Sequence, residues 1–434
     1  MMPPFTPEDS KLKKEISDQQ RLLLIAPHSS YRISPYIQAA QNLGVEVMVA
    51  STSEHSLVSK VAEGLRIDLD SYRSDPQKAI ELILKTHREK PFTGVVATDD
   101  SAVSLAAYAA RALDLPHNPP EAVRLTHRKD LARERLTESG IPVPKHKRID
   151  LYGDLSNQAK GLDFPCVIKP LSLSGSRGVI RANNTDEFIA ACNRVQAIVK
   201  DLEDSQSQRY LLAESYIPGF EVAVEAMLDN GELQVLALFD KPDLMEGPYF
   251  EETYYITPSR VADDTQALIT RRVKEACHAY GLINGPVHAE LRLHNGEAWI
   301  LEVAARTIGG QCAQLLKYGT GYGLEELVIH QASGIPVKAQ HHESSAGVLM
   351  IPIPESGILR RVEGLANARR VPYITEVEIS VREGYELVPL PEGSAYLGFI
   401  FARGPDPSSV ESALRQSHAC LNFITAPILK MSAI

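Results

Sequence analysis

Residues 285–306 read GPVHAELRLHNGEAWILEVAAR, two apolar stretches joined by a turn. Side chains alternate along a strand, so His288, Glu290 and Arg292 fall on one face of the first stretch, and Val287, Ala289, Leu291 and Leu293 on the other. Glu302 ends the apolar run of the second stretch. A two-residue Asn295-Gly296 turn would pair Glu290 with Leu301 and send the two glutamates to opposite faces. A three-residue loop over 294–296, with Gly296 left-handed, sets Glu290 against Ile300 and His288 against Glu302, and makes the carboxylates diagonal neighbours on one face. That second register is the expected one. A glutamate in an apolar strand is costly unless paired, so two of them imply a cation. Hard carboxylate oxygens suit Mg2+, with Mn2+ as an alternative, whereas zinc would want more nitrogen or sulfur. The competing reading is a structural ion pair with Arg292 or Arg306. His288, beside this face, is a candidate base or a satisfied core histidine.

Working outward, residues 164–170 (FPCVIKP) form a short strand that delivers Lys169 into the loop LSLSGSRGV. Its small residues, Ser174, Gly175, Ser176 and Gly178, let backbone N–H groups approach phosphate oxygens, and the lysine supplies positive charge. GxxxxGK[ST] is absent, so a plain flexible loop stays open as the alternative. Residues 214–221 (ESYIPGFE) are a strand, a Pro-Gly turn and a strand with a carboxylate at each end. Such a connector can offer backbone groups to an adenine edge and a carboxylate to ribose hydroxyls, or can be an ordinary surface turn. Arg306 lies four residues past Glu302, before Gly309 and Gly310. It is placed either to clamp a carboxylate or phosphoryl group or to form a surface ion pair.

The 434 residues, 44% apolar and 23% charged, are too many for one core. A polar leader occupies 1–19. An α/β unit follows over 20–115, with strands at 21–26, 45–50 and 94–97. Thr98-Asp99-Asp100 sits at the carboxyl end of the last, where parallel sheets bind ligands. No GxGxxG follows the first strand, which counts against a dinucleotide oxidoreductase. The stretch 115–120 (LPHNPP) is a linker, and a charged helix is expected over 121–139. The unit 116–205 carries this helix and the Ser/Gly loop, 206–331 is an α+β unit with the glutamate hairpin, and 332–434 is a small α+β lobe. The net charge of −10 argues against a nucleic-acid partner. Five scattered cysteines without CxxC, a polar N-terminus and no apolar run of membrane length lead to the expectation of a soluble, cytoplasmic protein with no membrane partner.

Taken in order, Lys129 in the charged helix, VIKP with its Ser/Gly loop, ESYIPGFE, GPVHAE and ILEVAAR resemble the ATP-grasp superfamily across roughly 121–331. The preceding βαβ region resembles its N-terminal Rossmann-like lobe. The resemblance implies an α/β and α+β multi-lobe ATP-grasp fold, closed by the C-terminal α+β lobe. It further implies that Lys129 and Lys169 hold ATP phosphates and that Glu214, with nearby backbone at Tyr216 and Ile217, meets adenine. Glu221 would meet ribose, Glu290 and Glu302 would bind Mg2+, and Arg306 would stabilise an acyl-phosphate step. Many members carry Asn where Ala304 stands, which removes an oxygen ligand and motivates a nucleotide-binding protein without turnover as one alternative. The combination of GPVHAE with EVAAR resembles the branch of L-amino acid ligases, the dipeptide-forming enzymes. That branch implies small-molecule carboxylate and amine substrates, ATP as cosubstrate and, from a family often dimeric, a homodimer. The segment 239–255 resembles the same branch, and Glu251 and Tyr254 are candidate contacts for a substrate ammonium group. A biotin-carboxylase-like use of bicarbonate keeps the fold, but no biotin-carrier signature is present.

Overall fold

The computed structural model describes residues 20–428 apart from 29, 53–62, 68, 70–75, 203, 318–320 and 336–343; the leader at 1–19 lies outside the described residues. β1 (Arg21–Ile25), β2 (Glu46–Ser51), β3 (Glu63–Arg66) and β4 (Gly94–Ala97) form a parallel sheet in the order β3-β2-β1-β4. Every residue of β1 is buried, because helices cover both faces of the sheet. Tyr36 and Ala40 of helix Ile33–Leu43 pack with Leu22 and Leu24. Ala79 and Ile83 of helix Pro76–Glu89, with Ala102 and Leu105 of helix Asp100–Ala112, pack with Leu23 and Ile25. The strand order turns back at β1, so the ends of β1 and β4 open a crevice.

The charged segment expected as one helix over 121–139 is two, Pro120–His127 and Lys129–Glu138, broken where Arg128 is extended (φ −123°, ψ 96°). No glycine or proline marks the break. The Lys129 N–H donates to the carbonyl of Leu171, 3.0 Å away, a partner supplied by the following unit. That unit is a lid of β5 (His146–Asp150), β6 (Cys166–Pro170), β7 (Ile180–Ala182) and β8 (Tyr210–Ser215) in the antiparallel order β5-β8-β6-β7, backed by helix Thr185–Val199. The lid sheet therefore runs through Ser215, past the division after 205 drawn from the sequence. β8 hydrogen-bonds back to β5 and β6 rather than forward, and nothing local to it encodes that choice.

The remaining strands are β9 (Phe220–Asp229), β10 (Glu232–Lys241), β11 (Tyr254–Thr257), β12 (Gly285–His294), β13 (Glu297–Ala304), β14 (Ser345–Ile351), β15 (Gly357–Glu363), β16 (Ile374–Ile379), β17 (Glu386–Leu387), β18 (Gly398–Gly404) and β19 (Asn422–Ala426). Eight form one sheet in the order β13-β12-β9-β10-β11-β14-β18-β16, and β17-β15-β19 form a small one. The segment from 332 onward thus adds β14, β16 and β18 to the sheet that carries the glutamate hairpin. One face of that hairpin is core: Val287, Ala289, Leu291, Ala298 and Ile300 pack on Ile269, Val273 and Ala276 of helix Asp263–Tyr280. Each fully buried large aliphatic contributes roughly 1.5–3 kcal/mol, which holds the opposite, polar face toward the cleft. Among the described residues no helix is long and apolar enough to cross a membrane.

The hairpin reaches its expected outcome by a different route. Its turn is the two-residue one, with Asn295 at φ 53° and Gly296 at φ 73°, and His294 pairs with Glu297. The three-residue loop is not formed, and His288 pairs with Ala304 rather than Glu302. The register shifts between Glu290 and Leu291, so Leu291 faces Ile300 while Glu290 faces Glu302 directly. Leu301 is the extra residue of a β-bulge. The carbonyl of Leu301 accepts a hydrogen bond from the guanidinium of Arg133, so the bulge is anchored from the helix Lys129–Glu138.

Candidate active site

A cavity of about 610 Å3 lies where the N-terminal crevice, the lid and the large sheet meet, a volume typical of small-molecule sites. At one end Lys129, the first residue of its helix, places Nζ 3.2 Å from Glu302 Oε2 and donates to the Leu173 carbonyl at 2.9 Å. Lys169 on β6 lies 2.6 Å from Glu214 Oε2. Ser174, Gly175 and Ser176 line the wall beside these lysines. Gly178 does not line the cavity. Its φ is +73°, a Cβ would stand 2.7 Å from Pro170 Cγ, and its N–H donates to Pro391 O at 2.9 Å. Its lack of a side chain thus serves the path of the loop, which corrects its assignment to phosphate.

The connector behaves partly as expected. Tyr216 and Ile217 line the cleft, and Arg292 fixes this stretch by donating to Ile217 O at 2.8 Å and Met245 O at 2.7 Å. The Glu214 carboxylate, 2% exposed, is held between Arg133 and Lys169 at 2.6 Å each. Burial opposes its ionisation, but the two cations prevail and hold it at about 2. Its side chain positions Lys169 and anchors the helix of Arg133, so each of its oxygens is already engaged by a cation. Glu221 likewise accepts from Lys241 and Arg292 at 2.8 Å each, and any ribose hydroxyl would share those oxygens.

Glu290 and Glu302, opposite each other on the hairpin, both line the cavity. The donor set fits a hard divalent cation: two carboxylates that face each other on the cleft-facing side. Next to them the carboxylates of Glu221, Glu252 and Glu290 approach to within 4.8 Å of one another. That trio encloses a cation of the chain itself, since Lys241 Nζ lies 2.8, 2.8 and 3.6 Å from them. Glu252 is pushed up to about 7 by burial and by the charge of Glu290, against the pull of Lys241. His288 bridges Glu225, 3.1 Å away, and Glu290, 3.3 Å away. Burial alone would lower its basicity, but the two carboxylates outweigh it and hold the imidazole at about 9. His288 is therefore held between two carboxylates, which fits the satisfied core histidine rather than the free base of its two readings.

At the far end Arg306 Nε lies 2.8 Å from Asp100 Oδ1, an ion pair between the hairpin and the end of β4. Gly309 and Gly310 line the cavity there, and the Tyr31 hydroxyl donates to Gly310 O at 2.5 Å. Glu251 and Tyr254 do not line it. Glu251 accepts from the backbone of Ile353. Tyr254 sits in the core of the C-terminal segment with Arg415 4.5 Å over its ring. Their neighbours face the cleft instead: the Tyr255 hydroxyl donates to Glu252 Oε2 at 2.6 Å. The one-residue error follows from strand alternation, because the pairing of β11 with β10 and β14 selects which tyrosine points inward. Lys241, Glu225, Glu252 and Arg133 were not singled out as site residues. A lysine and a glutamate inside otherwise apolar strands were the available signals for Lys241 and Glu225.

Comparison with known proteins gives the family and the fold. Residues 37–117 match the ATP-grasp N-terminal domain, 162–314 the ATP-grasp domain and 349–426 the L-amino acid ligase C-terminal domain 2. The alanine–anticapsin ligase of Bacillus subtilis is 24% identical over 269 residues, 58% of this chain and 56% of that protein. Dapdiamide A synthase of Enterobacter agglomerans is 24% identical, over 61% of this chain and 63% of its own. The chain thus spans between half and two thirds of the length of these two relatives. The crystal structure of an L-amino acid ligase from Bacillus licheniformis superposes with a TM-score of 0.77 at 26% identity, covering 94% of this chain and 99% of that one.

Proposed function

Because the chain belongs to the ATP-grasp superfamily and carries the C-terminal domain of the L-amino acid ligases, we propose that it is an ATP-dependent, ADP-forming ligase that joins the carboxylate of one amino acid to the amine of another. The observation that carries this reading is the placement of Glu290 against Glu302 beside Lys129, in the wall of a cavity that Lys169 and Arg306 also line.

In this reading Lys129, Lys169 and the backbone of 174–176 bind the triphosphate, and Glu290 and Glu302 are the residues that would hold Mg2+. The ion, when bound, supplies positive charge to the phosphoryl oxygens during transfer. Arg306 orients the donor carboxylate, whose oxygen attacks the γ-phosphorus as the bond to ADP breaks. The neutral amine nitrogen then attacks the acyl carbon, the carbon–oxygen bond to phosphate breaks, and the departing phosphate takes up the proton that the nitrogen loses. Acyl phosphates hydrolyse, so the lid must exclude water. Arg177 donates to Glu392 O at 2.9 Å, which brings the lid loop against the C-terminal segment.

The experiment is a screen of paired L-amino acids with ATP and Mg2+, scored by phosphate release and by product mass. A condensed product that appears only with ATP is the expected result. Phosphate release with bicarbonate and with no amino acid would favour carboxylate activation of the biotin-carboxylase kind, and no ADP formation with any pair would leave a nucleotide-binding protein.

A further inference from the structure

Seven carboxylates of the described residues line the cavity: Asp99, Asp100, Glu214, Glu221, Glu252, Glu290 and Glu302. Six have a cationic partner: Arg306 for Asp100, Lys169 for Glu214, Lys241 for Glu221, Glu252 and Glu290, and Lys129 for Glu302. Asp99 has none among the described residues. The hydroxyl of Thr98 donates to its Oδ2 at 2.5 Å, and although Asp99 is the N-cap of the helix Asp100–Ala112, its side chain makes no capping hydrogen bond to that helix. A carboxylate facing a cleft that closes over its substrates loses hydration, and a cation in the substrate offsets that loss.

We propose that Asp99 is the subsite for the α-ammonium group of the amino acid whose carboxylate is activated, an inference that rests on the ligase reading above. The backbone places it well. Asp99 and Asp100 follow β4 at the carboxyl edge of the parallel sheet, and Asp100 holds Arg306. An anion for an ammonium group and a cation for a carboxylate are therefore anchored at adjacent positions, as an α-amino acid requires, since its two charged groups are attached to one carbon. The chemistry selects the donor. The attacking amine must lose its proton, so a carboxylate that stabilises ammonium would disable the acceptor. The donor's own amino group must stay out of the reaction, and an ion pair with Asp99 keeps it protonated and non-nucleophilic. The wall beyond is apolar. A Cβ at Gly310 would meet Met350 Sδ at 3.2 Å and the Phe399 ring at 3.6 Å, and Tyr396 lies 6.4 Å from that ring, centroid to centroid. Donors with apolar side chains fit this end.

The test is calorimetric binding of L-leucine and L-phenylalanine, each against its deaminated counterpart (4-methylpentanoate and 3-phenylpropanoate). The protein is full-length and saturated with Mg2+ and a non-hydrolysable ATP analogue. The expected result is at least tenfold tighter binding of one amino acid than of its deaminated counterpart, with that ratio collapsing toward unity in Asp99→Asn while affinity for the analogue is unchanged. No such preference in the wild-type protein, including no binding of either amino acid, overturns the proposal, as does a preference that survives in Asp99→Asn. Asp99→Ser, assayed alongside, keeps the comparison available if the asparagine variant folds poorly. Preference without any ligation activity would sink the ligase reading and leave the ammonium subsite standing.

Discussion

Glu290 faces Glu302 directly across the hairpin only because Leu301 is an extra residue in β13. Without that bulge the two-residue turn would set Glu290 against Leu301 and turn Glu302 into the helix-covered face. Both carboxylates are partly exposed to the cleft, with side chains 20% and 30% accessible, so their removal should spare the fold. Glu302→Gln is expected to lower ATP-dependent turnover by about 10²–10³, the scale for losing a group that stabilises developing phosphoryl charge. Its thermal midpoint should stay close to that of the wild type. Phosphate-release kinetics at a series of Mg2+ concentrations measure this, and wild-type rates in the variant would contradict the metal assignment.

Arg133 should be a stability residue although it lies next to the site. It is 1% exposed, pairs with the buried Glu214 and donates to the bulge carbonyl of Leu301. Arg133→Leu leaves a buried carboxylate with Lys169 alone and the carbonyl without its donor, at an expected cost of about 3 kcal/mol. Urea unfolding should show a lower midpoint with an unchanged slope. A midpoint equal to that of the wild type would mean the bulge is held by other means.

Glu214 predicts an acid limb of stability. Its carboxyl is held at about 2 in the folded chain against an ordinary value of 4.5, so the unfolded chain binds the extra proton. The stabilisation is full above about 4.5 and is lost as pH falls toward 2. Glu214→Gln should flatten the stability profile between those limits, and pH-dependent denaturant titrations would reveal an unaltered slope if the assignment is mistaken.

The lid is tied to the C-terminal segment by exposed groups. Arg194 contacts Glu392 through two hydrogen bonds of 2.6 and 2.9 Å, and Gly178 N–H meets Pro391 O at 2.9 Å. Exposed ion pairs contribute about 0–1 kcal/mol, so Arg194→Ala should scarcely change global stability. It should instead loosen closure, admit water to the acyl phosphate and raise the phosphate released per molecule of condensed product. Equal coupling in variant and wild type would remove the latch role.

What could be read along the chain was whatever depends on neighbouring residues. Apolar runs located β1, β2, β4 and the hairpin strands, small residues marked the 174–178 loop, and alternation put His288, Glu290 and Arg292 together on the cleft side. Those signals are local because strand period and turn chemistry act over a few residues. The helix break at Arg128 was invisible, since the Leu171 carbonyl that takes the Lys129 N–H lies in the lid. So was the choice of Glu252 and Tyr255 over Glu251 and Tyr254, which β11 makes only when it pairs with β14, some ninety residues later.

The order of motifs along the chain determined the fold class and the set of residues that reach one cleft, because each element is specified by its own periodicity and its own turn. Tertiary structure decided how those residues are used. Arg133 captures the Leu301 carbonyl and stabilises the bulge that brings two glutamates together. Glu214 is consumed in holding a lysine, His288 is held between two carboxylates, and Asp99 is left without a cationic partner among the described residues. Charge pairing in a shared low-dielectric cleft depends on distances between distant segments, and no local pattern carries those distances.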